Sequence, residues 1–144
     1  MRIDQDVKLD YKDVLIRPKR STLKSRKQVQ LERGFTFRNY VPDFPENVKD
    51  EHYRGVPIMA ANMDGVGTFA MADTLSAQGI FTCLVKTYSA DELVEYFNAG
   101  IKERTDNVAM SIGTSDHDYY KLVNVYDKCK DNLKKVCMDM ANGY

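Results

Sequence analysis

GVPIMAANMDGVGTF, residues 55–69, reads as an apolar strand that breaks off into polar residues, then glycines, then a helix. Val56 through Ala61 can be buried on both faces, as a strand of a parallel sheet must be. Asn62, Met63 and Asp64 stand where that strand runs out. Gly65 and Gly67 permit a tight turn and a close approach to a ligand. Thr68 is suited to cap the helix that follows. In parallel β/α proteins the carboxyl ends of the strands carry the chemistry. The stretch therefore points to an enzyme-type strand end.

Outward from it, four similar units follow one another. Strand candidates cover 56–61, 80–86, 108–113 and 135–140, a spacing that suits repeated βα units. Three helices are expected between them. The first, over 68–78, places Met71, Ala72 and Leu75 on one face and stops at Gly79. The second follows Ser89, with Glu92 three positions on as a capping box. It carries Leu93, Val94, Phe97 and Ile101 as an apolar stripe. The third follows Asp116, with Tyr119, Leu122, Val123, Tyr126 and Cys129 on one side.

The first 54 residues differ in character. Residues 9–16 suit a short strand or hairpin, 17–27 are basic, and 41–54 read as a surface loop with Pro42 and Pro45. The expected domains are thus 1–54, an N-terminal extension and loop, and 55–144, a β/α domain. Alternation with parallel strands leaves an open doubly wound sheet or a (β/α)8 barrel. Neither GxGxxG nor GxxxxGK[ST] occurs, so the nucleotide-sheet fingerprints are missing. A complete barrel takes about 250 residues, and this chain has 144, ending at Asn142-Gly143-Tyr144 in the loop that leaves the fourth strand. The expected architecture is about half of a parallel (β/α)8 TIM barrel, its N-terminal half.

Composition narrows the function. Lys plus Arg and Asp plus Glu each number 21, so no global field favours nucleic acid or a membrane surface. No apolar run approaches the roughly 20 residues that span a bilayer, and the charged N-terminus does not suit a signal peptide. Cys83, Cys129 and Cys137 are odd in number and form no CxxC pair, which fits reduced thiols in a cytoplasmic protein. Cys83 and Cys137 fall inside strands and Cys129 on an apolar helix face, so all three read as buried, inert thiols. His52 and His117 have no carboxylate spacing that makes a metal site.

If the strands are parallel, their ends gather Asn62-Met63-Asp64, Lys86, Gly113-Thr114-Ser115, and Asp139 with Asn142 on one rim. A lysine and a carboxylate there can shift each other's pKa and share a proton. Lys86 is then a candidate for steering protons or holding an anion, and Asp139 for accepting a hydrogen bond. A structural Lys–Asp pair at a barrel mouth is the plainer alternative.

KLDYKDVLIRPKRSTLKSR at 8–26, VPIMAANMDGVGTF at 56–69 and CMDMANGY at 137–144 resemble the GMP reductases. LVKTYS at 84–89 and SIGTSD at 111–116 are weaker similarities in the same order. The sister enzyme IMP dehydrogenase shares the Asp-Val-Leu and Met-Asp elements, whereas Arg-Pro-Lys-Arg-Ser and the Asn before Met63 look like the reductase side. The resemblance implies a TIM barrel, usually tetrameric, that performs NADPH-dependent reductive deamination of GMP to IMP and ammonia. In that reaction a cysteine adds to purine C2, ammonia leaves and hydride reduces the carbon.

Position by position, the resemblance implies that Lys86 and Asp139 are catalytic. It implies that Ser25, Arg26, Lys86, Asp139, Met140 and Ala141 bind NADPH, the first two reaching from a neighbouring subunit, and that Asn62 and Met63 lie near the purine. No protein metal site is expected. The family's nucleophilic cysteine, its monovalent-cation (K+) loop and its phosphate-holding glycines correspond to sequence beyond Tyr144. The family's usual histidines around the lysine are Val85 and Thr87 here, Gly65 stands where Thr is expected, and the 41–54 loop is longer. Several readings stay open: half of a reductase that acts with a complementary half-barrel chain or in a homo-oligomer, with IMP dehydrogenase as the alternative enzyme; a non-catalytic half-barrel that associates with or regulates another subunit; and a truncated or split reading frame with no independent role.

Overall fold

The computed structural model describes residues 6–37, 53–99 and 102–141. Contacts divide the chain into two units, Met1–Gln30 and Leu31–Tyr144. In the first, the expected strand or hairpin over 9–16 is instead a 3-10 turn, Tyr11–Asp13. The local chemistry explains it: Asp10 accepts from the Tyr11 N–H at 2.7 Å, and Asp13 accepts from the Asp10 N–H at 3.0 Å. These side-chain bonds satisfy backbone donors that a strand would need a partner chain to satisfy. A second 3-10 turn, Arg26–Gln28, is capped by Ser25.

The second unit is a five-stranded sheet in sequential order: β1 (Arg33–Phe35), β2 (Tyr53–Ala60), β3 (Ile80–Cys83), β4 (Val108–Ile112) and β5 (Val136–Met138). β1 pairs antiparallel with β2, while β2 through β5 are parallel. The helices are α1 (Phe69–Ser76), α2 (Ala90–Asn98), α3 (Lys102–Asn107) and α4 (Asp116–Cys129). Sequential parallel strands with helices between them are the first turns of a barrel of the (β/α)8 family. Of the 41–54 loop, Tyr53 and Arg54 belong to β2; residues 41–52, His52 among them, lie outside the described residues.

The caps behave as their chemistry requires. Thr68 accepts from the Met71 N–H at 3.2 Å and starts α1. Gly79 takes φ +67, a left-handed conformation that favours glycine, just after that helix. Ser89 and Glu92 form the full capping box of α2. Ser115, one residue before the expected Asp116, caps α4.

Alternate residues of β4 separate two apolar clusters. Val108, Met110 and Ile112 pack with Ala72, Leu93, Phe97, Val125 and Cys129 on the helix side. Ala109 packs with Phe81 and Cys83 on the other side, against Tyr53 and Cys137.

Three expected faces are corrected. Met71 is exposed; α1 buries Ala72, as expected, together with Ser76. On α4, Tyr119, Val123 and Tyr126 are exposed, whereas Val125 and Cys129 are buried. β2 is not buried on both faces. Pro57, which has no N–H to give the ladder, sits where the β2–β3 register slips between Val56 and Met59, and Ile58 and Met59 stand about 60% exposed. They line an open apolar cavity of about 830 Å³ with Val56, Phe81, Ala109 and Cys137.

Candidate active site at the strand ends

The loop from Asn62 to Gly67 folds tightly back on itself: the N–H groups of Val66 and Gly67 both donate to the Met63 carbonyl, at 3.0 and 2.9 Å. Gly65 takes φ +76 with open space around it. Gly67 makes the expected tight turn and also packs closely against backbone. A Cβ there would lie 2.4 Å from the Cys83 carbonyl oxygen and 2.8 Å from the Val85 nitrogen. Its close approach is to the end of β3, and its carbonyl accepts from the Val85 N–H at 2.8 Å.

That contact ties down the chain as it leaves β3. Leu84 donates to Ala109 at 2.9 Å, and the next turn carries Lys86 three residues beyond the strand. On the far side of β4, the Asp139 N–H donates to the Ile112 carbonyl at 2.8 Å, one residue past β5. Lys86 Nζ and Asp139 Oδ2 thus face each other at 3.9 Å, with side chains 51% and 41% exposed. At that distance the groups are an ion pair but not a direct hydrogen bond. Exposed pairs of this kind contribute about 0–1 kcal/mol to stability, so folding alone gives little reason for the juxtaposition.

The turn that presents Lys86 is held from several directions. The Lys121 ammonium, from α4, donates to the Lys86 carbonyl at 2.8 Å and also to the Tyr88 carbonyl. The Tyr88 hydroxyl accepts from the Phe69 N–H at 3.2 Å, and its ring stacks on Phe69. The Ser89 N–H donates to the Glu92 carboxylate at 2.7 Å. Asp118 accepts from the Ser115 hydroxyl at 2.6 Å.

Charges follow these bonds. The Ser115 hydroxyl, then the backbone N–H groups of Gly113 and Ser115, and then the charge of Lys86 hold the Asp118 carboxyl below its ordinary range. Ser89 does the same for Glu92, through its hydroxyl and backbone. Burial pulls the Lys121 ammonium below its usual value, partly offset by the charges of Asp118 and Glu92.

The other sequence-derived residues take varied places. Asn62 is half-buried and Met63 exposed at the end of β2. Met140 and Ala141 are exposed just beyond Asp139. Ser25 and Arg26 lie in the first unit, both exposed, with the Ser25 hydroxyl accepting from the Lys27 N–H at 3.3 Å. Asn142 lies outside the described residues. No group of three or more His, Cys, Asp or Glu side chains is placed to hold a metal among the described residues. No helix among them is long and apolar enough to cross a membrane.

Cys83 and Cys129 are buried, as expected, and are poor nucleophiles where they stand, whereas Cys137 is only half-buried. Burial, with help from the neighbouring Cys137, pushes the Cys83 thiol up to about 12, and burial raises Cys129 as well. Cys137 lines the apolar cavity on the sheet. Sequence reading missed Lys121 and Tyr88. Asp118 had a legible signal in Ser115-x-x-Asp118, a helix-start pattern, whereas a lysine within a surface helix announces nothing.

All 144 residues align with GMP reductases, at 48% identity to that of Shigella boydii, 45% to that of Buchnera aphidicola and 44% to that of Vibrio campbellii. The chain spans about two fifths of the length of these curated relatives, 39%, 38% and 39% respectively. No family model matches. The crystal structure of inosine 5′-monophosphate dehydrogenase from Legionella pneumophila superposes with a TM-score of 0.53 at 20% identity, over 64% of this chain and 27% of that one. That likeness bears on the fold, and it agrees with a partial barrel.

Proposed function

We propose, for a chain related along its whole length to GMP reductases, that it is the cofactor-side half of a reductase. The whole enzyme would convert GMP to IMP and ammonia at the expense of NADPH. The observation that carries this reading is the meeting of Lys86 and Asp139, brought from either side of β4 to 3.9 Å on the strand-end rim. The match of all 144 residues to proteins named GMP reductase supports this reading.

The residues present fit NADPH in kind. Met140 and Ala141 offer exposed apolar surface beside the ion pair, suited to a flat nicotinamide ring. Lys86 offers an ammonium for an anionic or carbonyl oxygen. Ser25 and Arg26 of a neighbouring subunit would supply a hydroxyl and a guanidinium suited to a phosphate. When bound, NADPH supplies the hydride. Lys86, free of a tight bond to Asp139, can give a proton to the departing amino group, and Asp139 can hold and orient that ammonium. Asn62 and Met63 would border the purine.

The nucleophile is expected from another polypeptide segment. Cys83 and Cys129 are held as neutral thiols by burial, and the thiolate is the attacking form. A complementary half-barrel, in the same subunit or a partner chain, would also cover Ile58, Met59 and the 830 Å³ cavity. The monovalent cation belongs with that half. The same exposed apolar surface favours a second reading, a non-catalytic half-barrel that docks on another subunit.

Absorbance at 340 nm tests the proposal. NADPH oxidation is measured with GMP, using this chain alone and mixed with a polypeptide that supplies the second half of the barrel. Turnover in the mixture, lost in Lys86→Ala and Asp139→Ala, is the expected result. A complex that forms without oxidising NADPH refutes the catalytic reading and favours the docking one.

A further inference from the structure

We infer that Lys121 is a positioning residue whose ammonium, bonded to the carbonyls of Lys86 and Tyr88, fixes the β3–α2 turn and so holds Lys86 opposite Asp139. The functional half of this inference rests on the reading of Lys86 given above.

Geometry carries it. Lys86 stands in a turn, three residues past the end of β3, and its own side chain is half exposed, so β3 alone does not fix its position. Its neighbours are fixed. Lys121 reaches across from the second turn of α4 and donates 2.8 Å to the Lys86 carbonyl, with a second bond to the Tyr88 carbonyl. Two carbonyls of a solvent-side turn are thereby bonded to one cation that is itself half-buried. Hydrogen bonds to a charged donor are about twice as strong as neutral ones. A surface lysine seeking solvent would not take this arrangement, because burial disfavours its charge. Asp118 on α4 and Glu92 on α2 compensate by placing carboxylates near it.

The bonds also link elements. α4 follows β4, while the Lys86 turn joins β3 to α2. Lys121 therefore spans two βα units and references Lys86 to the helix whose N-terminus adjoins the end of β4. Asp139 is referenced to the same strand by its bond to Ile112. Both members of the ion pair are thus registered on β4, which explains why they meet although β4 stands between the strands they follow.

Backbone 15N relaxation on the 144-residue chain tests the hold, comparing wild type with Lys121→Met, Lys121→Gln and Lys121→Arg. Order parameters of Thr87 and Tyr88 are expected in the rigid range near about 0.85 in wild type and below about 0.6 in Lys121→Met. Lys121→Arg, which keeps donors for both carbonyls, should restore them. Unchanged signals of Ala109 and Met110 in β4 show that the fold is intact, and Lys121→Gln serves if Lys121→Met does not fold. Order parameters that stay rigid in Lys121→Met overturn the inference.

A second measurement separates it from the functional reading. NADPH affinity is expected to fall about tenfold in Lys121→Met, the effect of one charge-assisted hydrogen bond, and by no further factor when Lys86→Ala is already present. An equal loss in both backgrounds overturns the route through Lys86. If Lys86→Ala binds NADPH as wild type does, the reading of Lys86 fails, and the relaxation result alone decides whether Lys121 holds the turn.

Discussion

Asp73→Ala should weaken the fold more than any other exchange at a comparably exposed position. The Asp73 carboxylate, on α1, accepts from Arg104 Nε at 2.7 Å, from Arg104 Nη2 at 3.0 Å and from the Tyr96 hydroxyl at 2.9 Å. Arg104 also donates from Nη1 to the Tyr96 carbonyl at 3.0 Å, and its guanidinium lies 4.2 Å from the centre of the Tyr96 ring. One carboxylate so joins α1, α2 and α3. The Arg104 side chain is only 13% exposed, whereas that of Asp73 is 43% exposed.

The asymmetry sets the magnitudes. Each charge-assisted bond contributes about 1.5–3 kcal/mol where water is excluded, but on the Asp73 side water replaces part of what is lost. Asp73→Ala leaves a largely buried guanidinium short of two acceptors, so a loss of about 2–3 kcal/mol is expected. Arg104→Met keeps the packing of the stem and leaves a half-exposed carboxylate that water can reach, so about 1–2 kcal/mol is expected. The double variant should fall short of the sum by about 1–2 kcal/mol, the coupling of residues in one network.

Urea unfolding followed by tyrosine fluorescence and circular dichroism measures this, since the chain has nine tyrosines and no tryptophan. With a slope of about 2 kcal/mol per molar urea, Asp73→Ala should lower the midpoint by about 1 M. A coupling below about 0.5 kcal/mol would refute the claim that this network joins the helices.

Phe97→Ala, at a ring 2% exposed in the main core, should cost about 3–5 kcal/mol in the same assay. Gly67→Ala should destabilise by about 2 kcal/mol or more, because its Cβ would strike backbone atoms of Cys83 and Val85. Gly65→Ala should cost only the left-handed strain, about 1–2 kcal/mol; equal effects at the two glycines would count against the packing argument. Stability should also fall in alkali. The Cys83 thiol is raised to about 12 in the fold and ionises near about 8.5 when unfolded. Its contribution is therefore whole below about pH 8.5 and is lost as pH rises towards the folded value. Cys83→Ala should flatten that decline, and identical slopes in the two proteins would show that other groups cause it.

Much of the architecture was legible because it rests on local chemistry. The Ser89–Glu92 box, the Thr68 cap and the left-handed Gly79 each act within a few residues, and all three stand as expected. The parallel strands announced themselves by apolar content and βα spacing. Local chemistry also produced the error at residues 9–16, where apolar residues suggested a strand and Asp10 and Asp13 made a turn.

What escaped the sequence depends on partners distant along the chain. β1 exists by pairing with β2, roughly 20 residues away, and α3, the polar run KERTDN, has no apolar stripe to announce it. Arg104 fastens α3 to Asp73 on α1. The inward faces of α1 and α4 could not be read from periodicity, since several apolar residues competed for them. Packing on the sheet chose Ala72 and Val125 and left Met71, Tyr119 and Tyr126 outside.

At the rim, the sequence alone supplied the residue types: a lysine and an aspartate after strands, glycines after another. Only the tertiary structure decided that Lys86 and Asp139 stand 3.9 Å apart, that Gly67 serves a neighbouring strand, and that Lys121 bonds the turn. The physical reason is range. Caps and turns are settled by bonds between near neighbours, whereas the distance between two strand ends is set by the register of the strands between them.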